Sequence, residues 1–189
     1  MKLKTFIRHE PLLLLAILII PFIITSCDKN DGDEPDPLVG TYVFSGATFG
    51  ESVDIVVQDY LVTFSSGSDA SIFVSEGLLG AAPCDDSTNA AIEFRENGTS
   101  YYVCLTETNE SQMGTWVISS DRTTFTLNIS NPRTLALEII NVIITETSIS
   151  GSVENFPLPI DTAYPLGEVL PSGINFQTGK VNVTFTRVP

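Results

Sequence analysis

AIEFRENGTSYYVC, Ala91 to Cys104, is the stretch that fixes the class of fold. Apolar and polar residues alternate on both sides of Asn97-Gly98, and a period of two is the pattern of a half-buried strand. Asn-Gly is the strongest short hairpin cue, because both central positions of a tight hairpin turn need positive φ. A two-residue turn here pairs Phe94 with Tyr101 and Ile92 with Val103. That register predicts Ile92, Phe94, Tyr101 and Val103 facing a core, with Glu93 and Arg95 on the opposite face.

The same alternation recurs in both directions along the chain. It predicts strands at Val39–Phe49, Val53–Val57, Tyr60–Phe64, Ala90–Glu96, Ser100–Thr106, Met113–Ser119, Thr123–Ile129, Leu135–Asn141, Val142–Val153 and Val181–Val188. ISSDRTTFTLNI, Ile118 to Ile129, reads as a second hairpin with Phe125, Leu127 and Ile129 on one face. SDASIFVSEGLLGAAP, Ser68 to Pro83, breaks the pattern. It reads as a short helix, with Ser68 or Asp69 as N-cap and Gly80 or Pro83 as its end. A buried strand at Ile72–Val74 is the alternative. Residues 156–179 hold Pro157, Pro159, Pro165 and Pro171 and are expected to form a long loop, because proline cannot donate to a central ladder. Eight to ten short strands joined by hairpins mean an all-β sandwich or an up-and-down barrel.

Charge narrows the function. Of the 189 residues, 23 are acidic and 9 basic. Lys2, Lys4, Arg8 and Glu10 precede Cys27, which leaves 22 acids and 6 bases after it, a net of −16. Nucleic-acid affinity comes largely from Lys and Arg displacing counterions, so a DNA or RNA partner is excluded. The one histidine is His9. Beyond Cys27 there is no imidazole for a Ser-His or Cys-His nucleophile or for a histidine-ligated zinc. No cofactor or metal is expected.

The chain opens with a positive stretch and then PLLLLAILIIPFII, Pro11 to Ile24. That apolar run is too short for the ~20 residues of a membrane-spanning helix. It fits the apolar core of a secretory signal. Ile24-Thr25-Ser26-Cys27 resembles a bacterial lipobox. The resemblance implies a lipoprotein signal peptide over 1–26, cleavage before Cys27, and lipidation of Cys27. Two or more acyl chains give a stable anchor where one is marginal. DKNDGDEPDP, Asp28 to Pro37, is acidic and without an apolar residue, so 27–37 reads as a flexible tether. Its acids do not keep the spacing of an EF-hand calcium loop. The acidic run directly after the cysteine also resembles the surface-export signal of Bacteroidota-type lipoproteins. It implies an outer-membrane, lipid-anchored location, at the cell surface or facing the periplasm.

LVGTYVFSGATF, Leu38 to Phe49, resembles the opening strand of lipocalin-like domains, with Gly40 and Tyr42 at the glycine and aromatic positions. GTWVIS (Gly114–Ser119), RTTFTLNI and ENGTSYYVC resemble further strands of the same families. The resemblance implies an eight-stranded antiparallel calyx over 38–189 with one short helix near the barrel mouth. It carries over no ligand, since these families share a fold with varied cargo. It also implies that Arg187, near the chain end, covers the first-strand aromatic Tyr42 as a cation–π pair. Asp86-Ser87-Thr88 and Asp161-Thr162-Ala163 resemble the O-glycan acceptor of exported Bacteroidota-type proteins.

An exported chain meets an oxidising compartment, so Cys84 and Cys104 are expected to form a disulfide. Tyr42, Phe44, Phe94, Tyr101, Trp116 and Phe125 are the residues expected to line the barrel, either as walls of a ligand cavity or as plain core. The densest carboxylate cluster is Asp85, Asp86, Glu93 and Glu96. It falls at a turn and on an exposed face, and catalysis is not expected from it. Two roles remain: a membrane-tethered calyx holding a small apolar or glycan ligand, or a structural or interaction subunit with a filled barrel that contacts an outer-membrane protein. A cavity of several hundred Å³ with one mouth favours the first, and a packed interior favours the second.

Overall fold

A computed structural model describes residues 35–130, 134–163 and 176–189. Cys27, the 1–26 leader, residues 27–34 of the tether, and Pro165 and Pro171 lie outside the described residues. The hairpin at Asn97-Gly98 joins β4 (Ala90–Phe94) to β5 (Thr99–Cys104). Its loop is one residue longer than the two-residue turn expected. Arg95 N–H donates to Thr99 O at 3.0 Å, and Gly98 N–H closes a turn onto Arg95 O at 3.0 Å. Gly98 takes the left-handed conformation at φ 76°. This is a type I turn followed by a left-handed residue, the usual three-residue hairpin loop. The Asn97 side chain stays inside the turn and accepts from Thr99 N and Thr99 Oγ1 at 3.1 and 2.6 Å.

One extra residue reverses the parity of β5. Phe94 pairs with Ser100 and Ile92 with Tyr102. Tyr102 and Cys104 therefore point inward and are buried, while Tyr101 and Val103 face outward and are half-buried. The expectation that Tyr101 and Val103 face the core is corrected here, because a one-residue change in a hairpin exchanges the faces of a whole strand.

Eight strands close into an antiparallel barrel in the order β1-β10-β9-β8-β7-β6-β5-β4, with β4 returning to β1. The members are β1 (Gly40–Phe49), β4, β5, β6 (Glu110–Ile118), β7 (Thr124–Ile129), β8 (Leu135–Ile144), β9 (Ser148–Pro159) and β10 (Phe176–Arg187). From β4 onward each strand neighbours the next, which is the up-and-down connection short hairpins permit. Closure removes the sheet edges that an open sheet would leave unpaired. Register shifts in β1 between Phe44 and Gly46, and in β10 between Gly179 and Val181, supply local bends that closure needs.

β2 (Val53–Val57) and β3 (Tyr60–Phe64) have the predicted bounds but stand outside the barrel as a two-stranded sheet. They and helix α1 (Ser71–Leu79) form an insertion between β1 and β4. The expected N-cap, Ser68 or Asp69, is corrected: Ala70 is the N-cap residue, and Asp69 lies one residue earlier, where its Oδ1 accepts from Ser71 N at 2.9 Å. Phe73, Val74 and Leu78 are buried, and Ile72 is exposed.

The break expected at Asn141 is a bulge within β8 rather than a strand end. Asn141 has φ 53°, the register shifts between Ile140 and Ile143, and β8 continues to Ile144. The expected loop from residue 156 also starts late. Pro157 and Pro159 lie in β9, paired with Thr178 and Phe176 of β10. β8 accompanies β9 only as far as the Ile139–Val153 pair, so beyond it one edge of β9 has no ladder partner among the described residues. That edge is where a strand can hold proline.

Candidate functional site

Strand alternation sends one side chain in two to the barrel axis, and those side chains fill it. Tyr42, Phe49, Ile92, Tyr102, Phe125, Leu127, Ile149 and Leu158 are each under 2% exposed. Phe94 is the hub of an aromatic group, with ring centroids 5.6 Å from Tyr42, 6.0 Å from Trp116 and 5.1 Å from Phe125. Trp116 Nε1 donates to Arg95 O at 3.0 Å, which satisfies its one polar atom. A ligand-sized cavity would leave its walls accessible to water. Instead Tyr42, Phe94, Trp116 and Phe125 are 7% exposed or less. These four expected lining residues pack against one another.

The other two part company. Phe44 is half-buried, edge-to-face with Phe185 at 5.8 Å. Tyr101 is on the outer surface, where the Arg95 guanidinium lies 3.6 Å from its ring centroid. Arg95 in turn pairs with Glu93 and Glu110 at 2.6 and 2.7 Å. The outer-face positions of Glu93 and Arg95 agree with the alternation read from the sequence.

The end of the barrel where the chain enters is sealed by a latch the sequence does not advertise. Leu38 is fully buried. Asp36 receives both Arg122 nitrogens at 2.9 Å and the Leu38 N–H at 2.9 Å. The Arg122 hydrogen bonds hold the Asp36 carboxyl below its ordinary range, against a smaller opposing effect of burial. Tyr42 Oη donates to Pro37 O at 3.1 Å, and burial pushes the Tyr42 phenol up. Arg187 donates to Val39 O and lies 5.5 Å from the Tyr42 ring centroid, the cation–π pair that the resemblance implies. Asp36 and Pro37, expected in the flexible tether, are thus fastened to the barrel. Residue type alone does not announce this, because the partner Arg122 is distant in sequence and sits in the β6–β7 turn at φ 58°.

Cys84 and Cys104 are bonded, with Cα atoms 5.5 Å apart, and tie the segment after α1 to the end of β5. The expected carboxylate cluster does not assemble as a reactive pair. Asp86 accepts from Thr88 N and Thr88 Oγ1, bonds that lower its pKa, and Glu93 is engaged by Arg95. Among the described residues no group of three or more His, Cys, Asp or Glu side chains is placed to hold a metal.

Concavity appears instead at a seam. β1 follows β10 up to Phe49 but pairs with β4 only over Gly40–Tyr42. Above Tyr42 the two strands diverge and α1 fills in beside them. Ala47 and the helix start are joined by Ala70 N to Ala47 O at 3.0 Å and Ala47 N to Ser71 Oγ at 3.0 Å. A half-open groove of about 330 Å³ remains, lined by Val43, Phe44, Ser75, Glu76, Leu79, Gly80, Ser87, Thr88 and Ala90. Of these only Phe44 is among the expected lining residues. The rest come together through the docking of the inserted helix beside β1, and that docking, unlike the helix itself, has no local signal.

The chain is therefore a closed eight-stranded, antiparallel, up-and-down β-barrel with a lidding insertion. It matches no family model, no curated protein and no solved structure at significance.

Proposed function

We propose that the protein is a lipid-anchored, non-enzymatic lipoprotein with a lipocalin-like barrel, tethered at the outer membrane through Cys27 and exposed at the cell surface. In this reading the barrel is a rigid scaffold, and the work is done at its outer surface and loops as the interaction subunit of an outer-membrane assembly. The observation that carries it is the filled interior. A drug-sized ligand needs a cavity of at least about 300 Å³, and the axis is occupied by mutually packed aromatic and aliphatic side chains. A secondary support lies at the tip of the β2–β3 hairpin, where Tyr60 and Leu61 are 75% and 69% exposed. Contiguous exposed apolar side chains, unlike scattered single ones, are a mark of contact surfaces.

The test is made in the native host. Wild type and Cys27→Ser are separated into membrane and soluble fractions, and membranes carrying wild type are treated with a short amine-independent cross-linker. The expected result is wild type in the membrane fraction, Cys27→Ser outside it, and one discrete cross-linked protein partner lost on Tyr60→Ser/Leu61→Ser. Membrane retention of Cys27→Ser overturns the anchor. Recovery of the chain alone in every cross-linked sample overturns the interaction role.

A further inference from the structure

We propose that the groove at the β1–β4 seam is a binding site for a hexose-sized saccharide that is uncharged or carries an amine. The inference is independent of the membrane anchor and of any protein partner. It rests on which hydrogen-bonding groups the groove has left to offer. Its floor is apolar: Val43, Phe44, Leu79 and Ala90. Its wall is Ser75, Glu76, Ser87 and Thr88. Two of the three hydroxyls have already committed their protons. Ser75 Oγ donates to Ile72 O at 3.1 Å, and Thr88 Oγ1 donates to Asp86 Oδ1 at 2.7 Å. A hydroxyl has one proton but two lone pairs, so what Ser75 and Thr88 have left to offer a ligand is acceptors. Glu76 is an acceptor only. The wall therefore asks for a ligand rich in donors.

Charge removes the other classes. Among the described residues no Lys or Arg lines the groove, and its one charged lining residue is Glu76. A fatty acid, a nucleotide or a sugar phosphate would bring a negative charge to an acceptor wall with nothing to compensate it, which costs binding energy rather than adding it. A purely apolar ligand would satisfy the floor and leave the wall desolvated and unpaired. A pyranose meets both halves. Its hydroxyls donate to Ser75, Thr88 and Glu76, and its C–H face covers Phe44 and Leu79. The groove volume, about 330 Å³, is at the small end of ligand sites and suits one or two rings. Ser87, exposed and beside Thr88, can serve either as donor or as acceptor at the rim.

Saturation-transfer NMR on the folded chain tests this, with methyl β-glucoside, glucosamine, glucuronate and decanoate as probes at millimolar concentration. Transfer is expected to the glucoside and glucosamine, strongest on ring C–H protons, and to be at least about five-fold weaker for glucuronate and decanoate. Val43→Trp, which fills the floor from a half-buried position, is expected to abolish it. Glu76→Gln, at an exposed helix position, is expected to weaken glucosamine by about five-fold, the loss of the charge from a solvent-screened hydrogen bond that the amide oxygen still accepts, and the glucoside less. An unchanged thermal midpoint in Glu76→Gln separates loss of binding from loss of fold. No transfer to either sugar overturns the proposal. So does equal transfer to glucuronate or decanoate, or transfer that survives in Val43→Trp.

Discussion

Tyr101 and Tyr102 are chemically identical neighbours with opposite fates. Tyr102 is 1% exposed in the barrel, and Tyr101 carries Arg95 on its outer face. Tyr102→Ala should cost about 3 kcal/mol or more, in the range for deleting a buried aromatic ring. Tyr101→Ala should cost about 1 kcal/mol, the scale of a surface cation–π contact. Urea denaturation of the two variants checks the hairpin register directly, since a two-residue turn reverses the order. The Asp36–Arg122 latch gives a second residue-scale test. The folded-state pKa of Asp36 is lowered, so its stabilisation is complete above the ordinary carboxyl value of about 3.9 and is lost as pH falls through that value toward the folded one. Both partners are about a third exposed, which limits the contribution to about 1 kcal/mol. Asp36→Asn should lower the melting temperature at pH 7 by a few degrees, and the gap to wild type should close as pH falls below the ordinary carboxyl range. A gap that persists at low pH would show that Asp36 acts by packing rather than by charge.

Among the elements, β6 depends most sharply on one residue. Gly114 pairs with Ile129 of β7 and with Ser100 of β5, and a methyl group added there would run into the Asn128 carbonyl oxygen and the backbone behind it. The obstacle is ladder backbone, which cannot swing aside as a side chain can. Gly114→Ala should therefore destabilise by about 3 kcal/mol, measured by chemical denaturation, whereas at Gly67, with open space around it, the same change should cost only the backbone strain of its φ of 83°, about 1–2 kcal/mol. At this scale local periodicity is legible in the sequence. The bounds of β2 and β3, the inward face of Phe125, Leu127 and Ile129, and the helix after Asp69 follow from spacing and turn residues. Pairing between strands is not legible in this way. Asn97-Gly98 marks a hairpin but does not say whether Asn97 or the residue before it starts the turn. Pro157 and Pro159 argue against a central strand but cannot reveal that β8 has parted from β9 before reaching them.

The whole molecule is a barrel whose two ends are treated differently. One is sealed by Leu38, Tyr42 and Arg187, and the other bears the inserted helix and the Cys84–Cys104 bond. That disulfide closes a loop with a sequence separation of 20, for which chain entropy gives about 3 kcal/mol. Reduction should lower the melting temperature by about 10 °C for a domain of this size, read by calorimetry with and without reductant, and a Cys84→Ser/Cys104→Ser variant should match the reduced protein. The sequence alone determined the all-β class, the cysteine pair and the acidic surface, because alternation, turn chemistry and charge are local or additive properties. Only the tertiary structure decided that the barrel is full, that Asp36 reaches Arg122, and that β1 and β4 part to leave a groove beneath α1. Those depend on side-chain volumes meeting across the axis and on contacts between residues far apart in the chain, and neither is written in any single segment.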